Sequence, residues 1–265
     1  MRSRFWEGYQ GTSFSELLAL QVPQLLPDFS GLSAELGQVP TSHGTTVLGM
    51  RYAEGVVVAG DRLATMDYRV ASRDIRKVFS TDDYSIMAIA GAAGPCIEMA
   101  GLLKVQFEHY EKIEGEPLEL EGKANTLSGL IKQNLPAAMQ GLVVVPIFAG
   151  YDRRRGVGRV WKYEITGGRF EEQDYESQGS GSLFARESLK KSWKANSSRA
   201  EALHMAIEAL TDAADEDRGT GGVDLLREIY PTVKFCSESG IEDVSDEEVG
   251  QVYQTILDAR RSGRA

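Results

Sequence analysis

Strand-like and helix-like segments occupy separate blocks of this chain and do not alternate one by one. Residues 46–52 alternate in polarity and residues 55–60 form an apolar run, so the two predict a hairpin around Ala53-Glu54-Gly55. The other predicted strands are 69–72, 77–79, 85–90, 142–149, 159–165, 169–177, 232–236 and 241–244. Segregated blocks of this kind favour an α+β fold in which helices pack outside antiparallel sheets.

Five helices are predicted between and after the strand blocks. Residues 91–94 break a strand, and Pro95 stands at a first-turn position that tolerates its missing N–H. Pro136 predicts a kink near the end of the second helix. Ser245 and Glu248 have the spacing of a capping box for the last helix. The predicted helices are Pro95 to about 110, 123–139, 182–193, 199–214 and one after Ser245.

Composition excludes several classes of partner. Lys and Arg total 29 against 39 Asp and Glu, and the net charge of −10 argues against nucleic acid or an anionic membrane as the main partner. Cys96 and Cys236 lack zinc-site spacing, and the three histidines lack metal-ligand spacing, so no metal site is expected. No segment approaches the ~20 apolar residues of a membrane span. Since the N-terminus also lacks a secretory signal, the expected location is the cytoplasm.

Residues 1–44 differ in composition from the sequence that follows. They combine glycines, prolines and serines with one short apolar patch at 14–26, which indicates an extension without a core of its own. Gly44-Thr45-Thr46 stands where this extension meets the first predicted strand. Taken alone, such a tripeptide is more often a plain strand entrance.

A cut between Gly44 and Thr45 would give the threonine a free α-amine beside its own hydroxyl. A hydroxyl is a poor nucleophile until a base takes its proton. Because an α-amine titrates near ~7.7–8.0, much of it can act as that base at neutral pH. One residue would then hold nucleophile and base together.

Asp61 and Lys77 are the charged residues most in need of a partner. Asp61 ends the apolar run 56–60, and Lys77 shares one face of an extended segment with Ile75 and Phe79. A lysine near apolar surface is costly to desolvate, so its pKa falls or it pairs with a carboxylate. A pair between Asp61 and Lys77 would satisfy both groups. The alternatives are a lysine that reaches water from an edge strand and an ordinary Asp-Arg turn.

Glycine-containing segments supply the remaining candidates. Gly91 offers a backbone N–H at a strand-to-helix turn, a donor that can stabilise an oxyanion, although a plain turn glycine is the alternative. Gly179-Ser180-Gly181-Ser182 before a helix resembles a weak anion cradle. It lacks the Gly-Lys-Ser/Thr ending of a P-loop, which argues against nucleotide binding.

In order and spacing, these motifs resemble a catalytic β subunit of the 20S proteasome, and most closely the actinobacterial type. The similarity begins at Thr45 and covers about four-fifths of the chain. The leader 1–44 is similar to a propeptide in position and junction only. The matching motifs are Gly44-Thr45-Thr46, Gly60-Asp61-Arg62 with Ala64-Thr65, Lys77-Val78-Phe79, residues 90–94, residues 179–182 and Asp217-Arg218-Gly219-Thr220-Gly221-Gly222.

The resemblance implies a role for each matched residue. The implied catalytic residues are Thr45, Asp61, Lys77, Gly91, Ser180, Asp217 and Thr220. Among them, Thr45 is the nucleophile, freed after Gly44 by autolysis, and Gly91 supplies the oxyanion-hole amide. Thr220 stands where many members of the family have serine. The residues implied to bind substrate are Thr65, through its backbone, and the pocket residues Ala64, Ile75, Phe79, Ile89 and Ala93.

The resemblance also implies a fold and an assembly. The fold is a four-layer αββα sandwich of two antiparallel sheets, of the N-terminal-nucleophile hydrolase type, with residues 1–44 removed on maturation and 45–265 kept as the peptidase domain. The implied partners are α subunits and other β subunits in stacked seven-membered rings, ATPase-ring or other activators, and substrates tagged with a ubiquitin-like protein. No metal or organic cofactor is needed. Two alternatives stay open: a two-ring bacterial threonine peptidase paired with a hexameric ATPase, and a non-catalytic structural ring subunit.

Overall fold

The computed structural model describes residues 44–66 and 69–263, and every element named below lies within them. The strands are β1 (Thr46–Tyr52), β2 (Gly55–Gly60), β3 (Ala64–Met66), β4 (Arg69–Ser72), β5 (Val78–Asp82), β6 (Ser85–Ala88), β7 (Ile147–Asp152), β8 (Val157–Tyr163), β9 (Arg169–Glu172), β10 (Tyr175–Gly179), β11 (Thr232–Ser237) and β12 (Gly240–Asp243). The helices are α1 (Ala93–Glu114), α2 (Leu120–Gln133), α3 (Leu135–Ala138), α4 (Ser182–Ser192), α5 (Arg199–Glu216) and α6 (Asp246–Arg261).

Two five-stranded sheets carry most of the strands. The first has the order β10-β1-β2-β11-β12 and the second the order β5-β6-β7-β8-β9, while β3 pairs with β4 in a separate two-stranded sheet. Neighbouring strands within each sheet are antiparallel. The hairpin predicted around residues 53–55 is therefore present as β1 and β2.

The first sheet is buried on both faces because its side chains point alternately to two cores. In β2, Val56 and Val58 pack toward the second sheet, whereas Val57 and Ala59 pack toward helices α4, α5 and α6. This alternation explains how residues 55–60 can be apolar throughout and still form a strand.

The second sheet is buried in the same way between the first sheet and helices α1 and α2. In β6, Ile86 and Ala88 face the first sheet, and Met87 faces the helices. The layers therefore run helices, sheet, sheet, helices, which confirms the predicted four-layer αββα sandwich.

The single strand predicted at 169–177 is wrong, because the chain changes sheets within it. Residues 169–172 form β9 at the edge of the second sheet, and residues 175–179 form β10 at the edge of the first. The crossing at Gln173 and Asp174 is held by Arg51, whose guanidinium donates to Gln173 O and whose N–H donates to Asp174 O. Lys162 bonds carboxylates on both sides of the crossing.

Two further elements differ from their predicted bounds at prolines. The helix predicted at 123–139 is broken at Asn134 into α2 and α3, with Pro136 in the first turn of α3. The strand predicted at 142–149 begins only at Ile147, after Pro146, which has no N–H for a ladder. In both places the missing donor sets the boundary.

The capping box predicted for α6 is only half formed. Ser245 accepts a hydrogen bond from the Glu248 N–H, but the Glu248 carboxylate binds Arg199 at 2.6 Å. Ser198 and Glu201 form the complete capping box instead, at the start of α5. Among the described residues, no helix combines the length and apolarity that crossing a membrane requires.

Candidate active site

Thr45 lies at the entrance of β1 with its backbone still joined to Gly44. Its side chain is buried, and its Oγ1 donates a hydrogen bond to the Gly44 carbonyl oxygen at 2.6 Å. Its own carbonyl oxygen accepts from the Ser180 N–H at 2.8 Å. The hydroxyl therefore faces the carbonyl of the bond at which the sequence predicts cleavage.

Asp61 and Lys77 form a buried ion pair beside this junction. Asp61 follows β2 and Lys77 precedes β5, and the Lys77 Nζ lies 2.6 Å from Asp61 Oδ1. The two side chains are 0% and 2% exposed, which excludes the alternative of a lysine that reaches water. The ammonium also donates to Leu63 O and, at 3.4 Å, to Gly44 O.

Backbone donors surround the Asp61 carboxylate. The N–H groups of Thr46, Leu63 and Gly221 donate to it at 2.8–3.0 Å. Burial is the largest influence on the pair: it raises the pKa of Asp61 and lowers the pKa of Lys77. Each partner opposes the pKa shift of the other, and the backbone donors also lower the pKa of Asp61.

Ser180, Asp217 and Thr220 form a second group of polar residues next to Thr45. Asp217 Oδ2 accepts from Ser180 Oγ at 2.5 Å and from Thr220 Oγ1 at 2.6 Å. The Thr45 N–H points to Ser180 Oγ at 3.4 Å. The three residues come from the end of β10 and the loop after α5, so the fold brings together residues that are distant in sequence.

Gly91 stands between β6 and α1 with φ of +105°. A Cβ there would overlap the Val143 carbonyl oxygen, so both the backbone conformation and the space require glycine. The neighbouring hydrogen bonds run from Ala92 N–H to Val143 O and from Val145 N–H to Ala90 O. Neither bond uses the Gly91 N–H, the group predicted to face an oxyanion.

The predicted pocket residues lie on three segments that backbone hydrogen bonds join. Ile75 N–H donates to Arg62 O at 3.0 Å, and Ile89 N–H donates to Lys77 O at 2.8 Å. Phe79 packs against the same core that contains Ile89. Ala64 is buried in β3, and Ala93 is the first residue of α1. Thr65 Oγ1 lies so close to Gly44 that a Cβ on that glycine would overlap it.

Thr46 and Gly181 contact the predicted site residues, but the sequence did not predict a role for either. Thr46 uses both its N–H and its hydroxyl within the site, and the Gly181 N–H donates to that hydroxyl. Thr46 belongs to the alternating pattern of β1, which predicted a strand residue and gave no sign of a second role.

Among the described residues, no group of three or more His, Cys, Asp or Glu could hold a metal ion.

Comparison with known proteins identifies the family to which the chain belongs. Residues 41–226 match the family described as Proteasome subunit. The chain belongs to the proteasome subunit family. It is 47% identical over 249 residues to a Proteasome subunit beta of Streptomyces griseus subsp. griseus, a match covering 94% of this chain and 89% of the relative. It is 49% identical over 254 residues to a Proteasome subunit beta of Acidothermus cellulolyticus, covering 94% of this chain and 87% of the relative.

These matches bear out the resemblance on which the site prediction rests. Relatives of the β type, similar over nearly their whole length, support a β subunit of a proteasome core. Family membership also implies assembly into a multi-subunit proteasome and, in general terms, peptidase activity. The roles of the individual residues, the removal of the leader and the identity of the partners stay predictions.

Proposed function

We propose that this proteasome subunit is a threonine endopeptidase that cuts its own chain between Gly44 and Thr45. The observation that carries the proposal is the contact between the Thr45 hydroxyl and the Gly44 carbonyl, with the Lys77 ammonium within 3.4 Å of the same carbonyl oxygen. A nucleophile, the carbonyl it would attack and a buried cation are thus within reach of one another.

Self-cleavage then proceeds in two steps, formation of an ester and its hydrolysis. Thr45 Oγ1 attacks the Gly44 carbonyl carbon, the C–N bond breaks, and the Thr45 nitrogen takes a proton, leaving Gly44 joined to the threonine by an ester. Water hydrolyses this ester and releases the leader as a carboxylate. Thr45 keeps its hydroxyl and gains a free α-amine, so residues 45–265 form the mature chain.

In the mature chain the same residues would act on a peptide substrate. The α-amine, near ~7.7–8.0 in its ordinary pKa, accepts the proton of the hydroxyl, and the hydroxyl oxygen attacks the substrate carbonyl. The Lys77 cation favours the deprotonated hydroxyl, and Asp61 keeps the lysine in place. The Gly91 N–H supports the negative oxygen that forms on the substrate. Neither a metal nor an organic cofactor takes part.

The wider setting follows from the resemblance and is part of the proposal. The subunit would work in the cytoplasm inside stacked seven-membered rings with α subunits and other β subunits. ATPase-ring or other activators would deliver unfolded chains, including chains tagged with a ubiquitin-like protein. A two-ring bacterial threonine peptidase paired with a hexameric ATPase is the competing assembly, and counting rings and subunits per ring by electron microscopy decides between them.

Intact mass of the purified particle tests self-cleavage. The wild-type chain should lose 44 residues and leave a product of 221 that begins at Thr45, since 265 − 44 = 221. Thr45→Ala should assemble, keep the leader and hydrolyse no peptide, whereas Thr45→Ser keeps a hydroxyl and should process. Leader removal in purified Thr45→Ala would refute autolysis, and an inactive but processed wild type would favour a structural ring subunit.

A further inference from the structure

Thr46 connects the two halves of the candidate site. Its side chain is fully buried, and its N–H donates to Asp61 Oδ1 at 2.8 Å. Its hydroxyl accepts from the Gly181 N–H at 3.0 Å and lies 2.5 Å from Thr220 Oγ1. One residue therefore contacts both the Asp61–Lys77 pair and the group formed by Ser180, Asp217 and Thr220.

The direction of each hydrogen bond on this side is fixed by counting hydrogens. Asp217, as a carboxylate, only accepts, so Ser180 and Thr220 each donate their single hydroxyl hydrogen to it. Thr220 then has only lone pairs to offer Thr46, so the Thr46 hydroxyl must donate to it. The bonds run in one direction, from Gly181 N–H through Thr46 and Thr220 to Asp217.

The same count of hydrogens determines which part of the Ser180 hydroxyl faces Thr45. Because the Ser180 hydrogen points to Asp217 at 2.5 Å, a lone pair of its oxygen is free to face the Thr45 nitrogen, 3.4 Å away. A flipped Ser180 hydroxyl would instead point its hydrogen toward Thr45 O, at 3.3 Å. The orientation of this hydroxyl thus depends on its hydrogen bond to Asp217.

Gly181 supplies an independent sign that the site is built around the Thr46 hydroxyl. Its φ of −87° and ψ of 7° are the angles of the third residue of a type I turn, which residues other than glycine adopt, so conformation does not require glycine there. Space does require it, because a Cβ on Gly181 would overlap Oγ1 of both Thr220 and Thr46. Glycine at this position lets the two hydroxyls lie against the backbone N–H.

We propose that the Thr46 hydroxyl is a positioning group for the Thr45 nucleophile. By donating to Thr220 it holds that hydroxyl on Asp217, and Asp217 in turn holds Ser180 with its lone pair toward the Thr45 nitrogen. The inference rests on the proposed function of Thr45. Thr46 contacts neither the hydroxyl of Thr45 nor the predicted pocket residues, so its effect should fall on the rate of the chemical step.

The test compares Thr46→Val with Thr46→Ser in the assembled particle, using a fluorogenic peptide with Tyr before the reporter. Rates are normalised to the fraction of chains that begin at Thr45 by intact mass. Thr46→Val keeps the shape and loses the hydroxyl, so kcat should fall about five- to tenfold with KM unchanged, the scale of one buried hydrogen bond. Thr46→Ser should restore kcat to within about twofold of wild type.

A matched control removes a buried hydroxyl elsewhere. Thr81 in β5 is fully buried and its hydroxyl contacts both the oxygen and the hydroxyl of Ser85, so Thr81→Val should lower stability and leave kcat unchanged. If Thr46→Val does not assemble, Thr46→Ser against Thr46→Ala gives the same comparison, because both lose the methyl group and only Ser keeps the hydroxyl.

A double-mutant cycle separates positioning from general packing. If the Thr46 hydroxyl acts only through the Thr220 hydroxyl, Thr46→Val should lower kcat in the wild-type background. In a Thr220→Val background it should cause little further loss of kcat. Additive losses in kcat, or a Thr46→Val particle with wild-type kcat, would overturn this inference and leave the proposed function intact. A processed wild-type particle without peptidase activity would overturn both.

Discussion

The Lys77 Nζ lies 2.6 Å from Asp61 Oδ1, and both side chains are almost completely shielded from solvent. Lys77→Ala should abolish most peptide turnover, because the cation near the Thr45 hydroxyl is lost. The fold should survive, since three backbone N–H groups still bind the Asp61 carboxylate. Lys77→Arg should also fail, because a planar guanidinium is larger than an ammonium and cannot take the same place among the acceptors on Asp61, Leu63 and Gly44. Turnover and particle size are measured together, and near wild-type turnover in the Arg variant would reduce Lys77 to a counter-ion.

Gly44→Ala should slow removal of the leader by about tenfold or more. A Cβ there would lie 2.6 Å from Gly219 O and would overlap Thr65 Oγ1, so the Gly44 carbonyl must move away from the Thr45 hydroxyl. A shift of about 1 Å in such an arrangement can cost 10²-fold in rate. Intact mass against time after assembly gives the rate, with Gly37→Ala in the leader as control. Equal rates for the two variants would contradict the prediction.

Peptides with a large apolar or aromatic residue before the cut should be preferred over those with Arg or Glu. The predicted pocket residues are Ala64, Ile75, Phe79, Ile89 and Ala93, all apolar. Burying a large apolar side chain among them gains roughly 1.5–3 kcal/mol, whereas a charge loses hydration without a partner. Fluorogenic peptides that differ only at this position provide the comparison of kcat/KM. Faster cleavage after Arg or Glu would show that the pocket is assigned wrongly or completed by a neighbouring subunit.

Gly181→Ala should lower kcat as Thr46→Val does, because the added methyl group would separate the Thr46 and Thr220 hydroxyls. Its backbone angles suit alanine, so the loss should not come from strain. Gly129→Ala in α2 is the matched control, since a Cβ there meets no atom within 4 Å. A Gly181→Ala particle as active as the control would mean that the hydroxyls tolerate separation.

Acid should destabilise the chain through Arg159 and Glu171. Arg159 is nearly buried and its guanidinium bonds Glu171 at 2.6 and 2.7 Å, which holds the pKa of Glu171 below its ordinary value of 4.5. A carboxyl whose pKa is lowered in the folded state stabilises that state at any pH above the ordinary pKa. This contribution is lost as pH falls through the folded pKa. Thermal unfolding from pH 7 to pH 3 should therefore show a smaller decrease for Glu171→Gln than for wild type. Glu98→Gln removes an exposed carboxylate and is the control: its thermal unfolding temperature should fall between pH 7 and pH 3 by as much as that of wild type.

The sequence predicted those features that depend on neighbours along the chain. Alternation located β1, the continuous apolar run located β2, and the need of Asp61 and Lys77 for partners predicted their pairing. The change of sheets at Gln173 was missed because it depends on which strand edges lie nearby, and no local pattern records that. The contacts of Thr46 were missed for the same reason: its hydroxyl meets Thr220 across 174 positions of sequence.

Cleavage after Gly44 would change the hydrogen bonds of the Lys77 ammonium. In the uncut chain its three N–H groups have three acceptors, on Asp61, Leu63 and Gly44. The last acceptor is the carbonyl oxygen of the bond proposed to break. In the two-step cleavage, formation of the ester would create the α-amine, and hydrolysis of the ester would then release Gly44 with the leader. Only this second step would free both an ammonium hydrogen of Lys77 and the hydroxyl of Thr45, so the cation and the nucleophile would become available together and irreversibly.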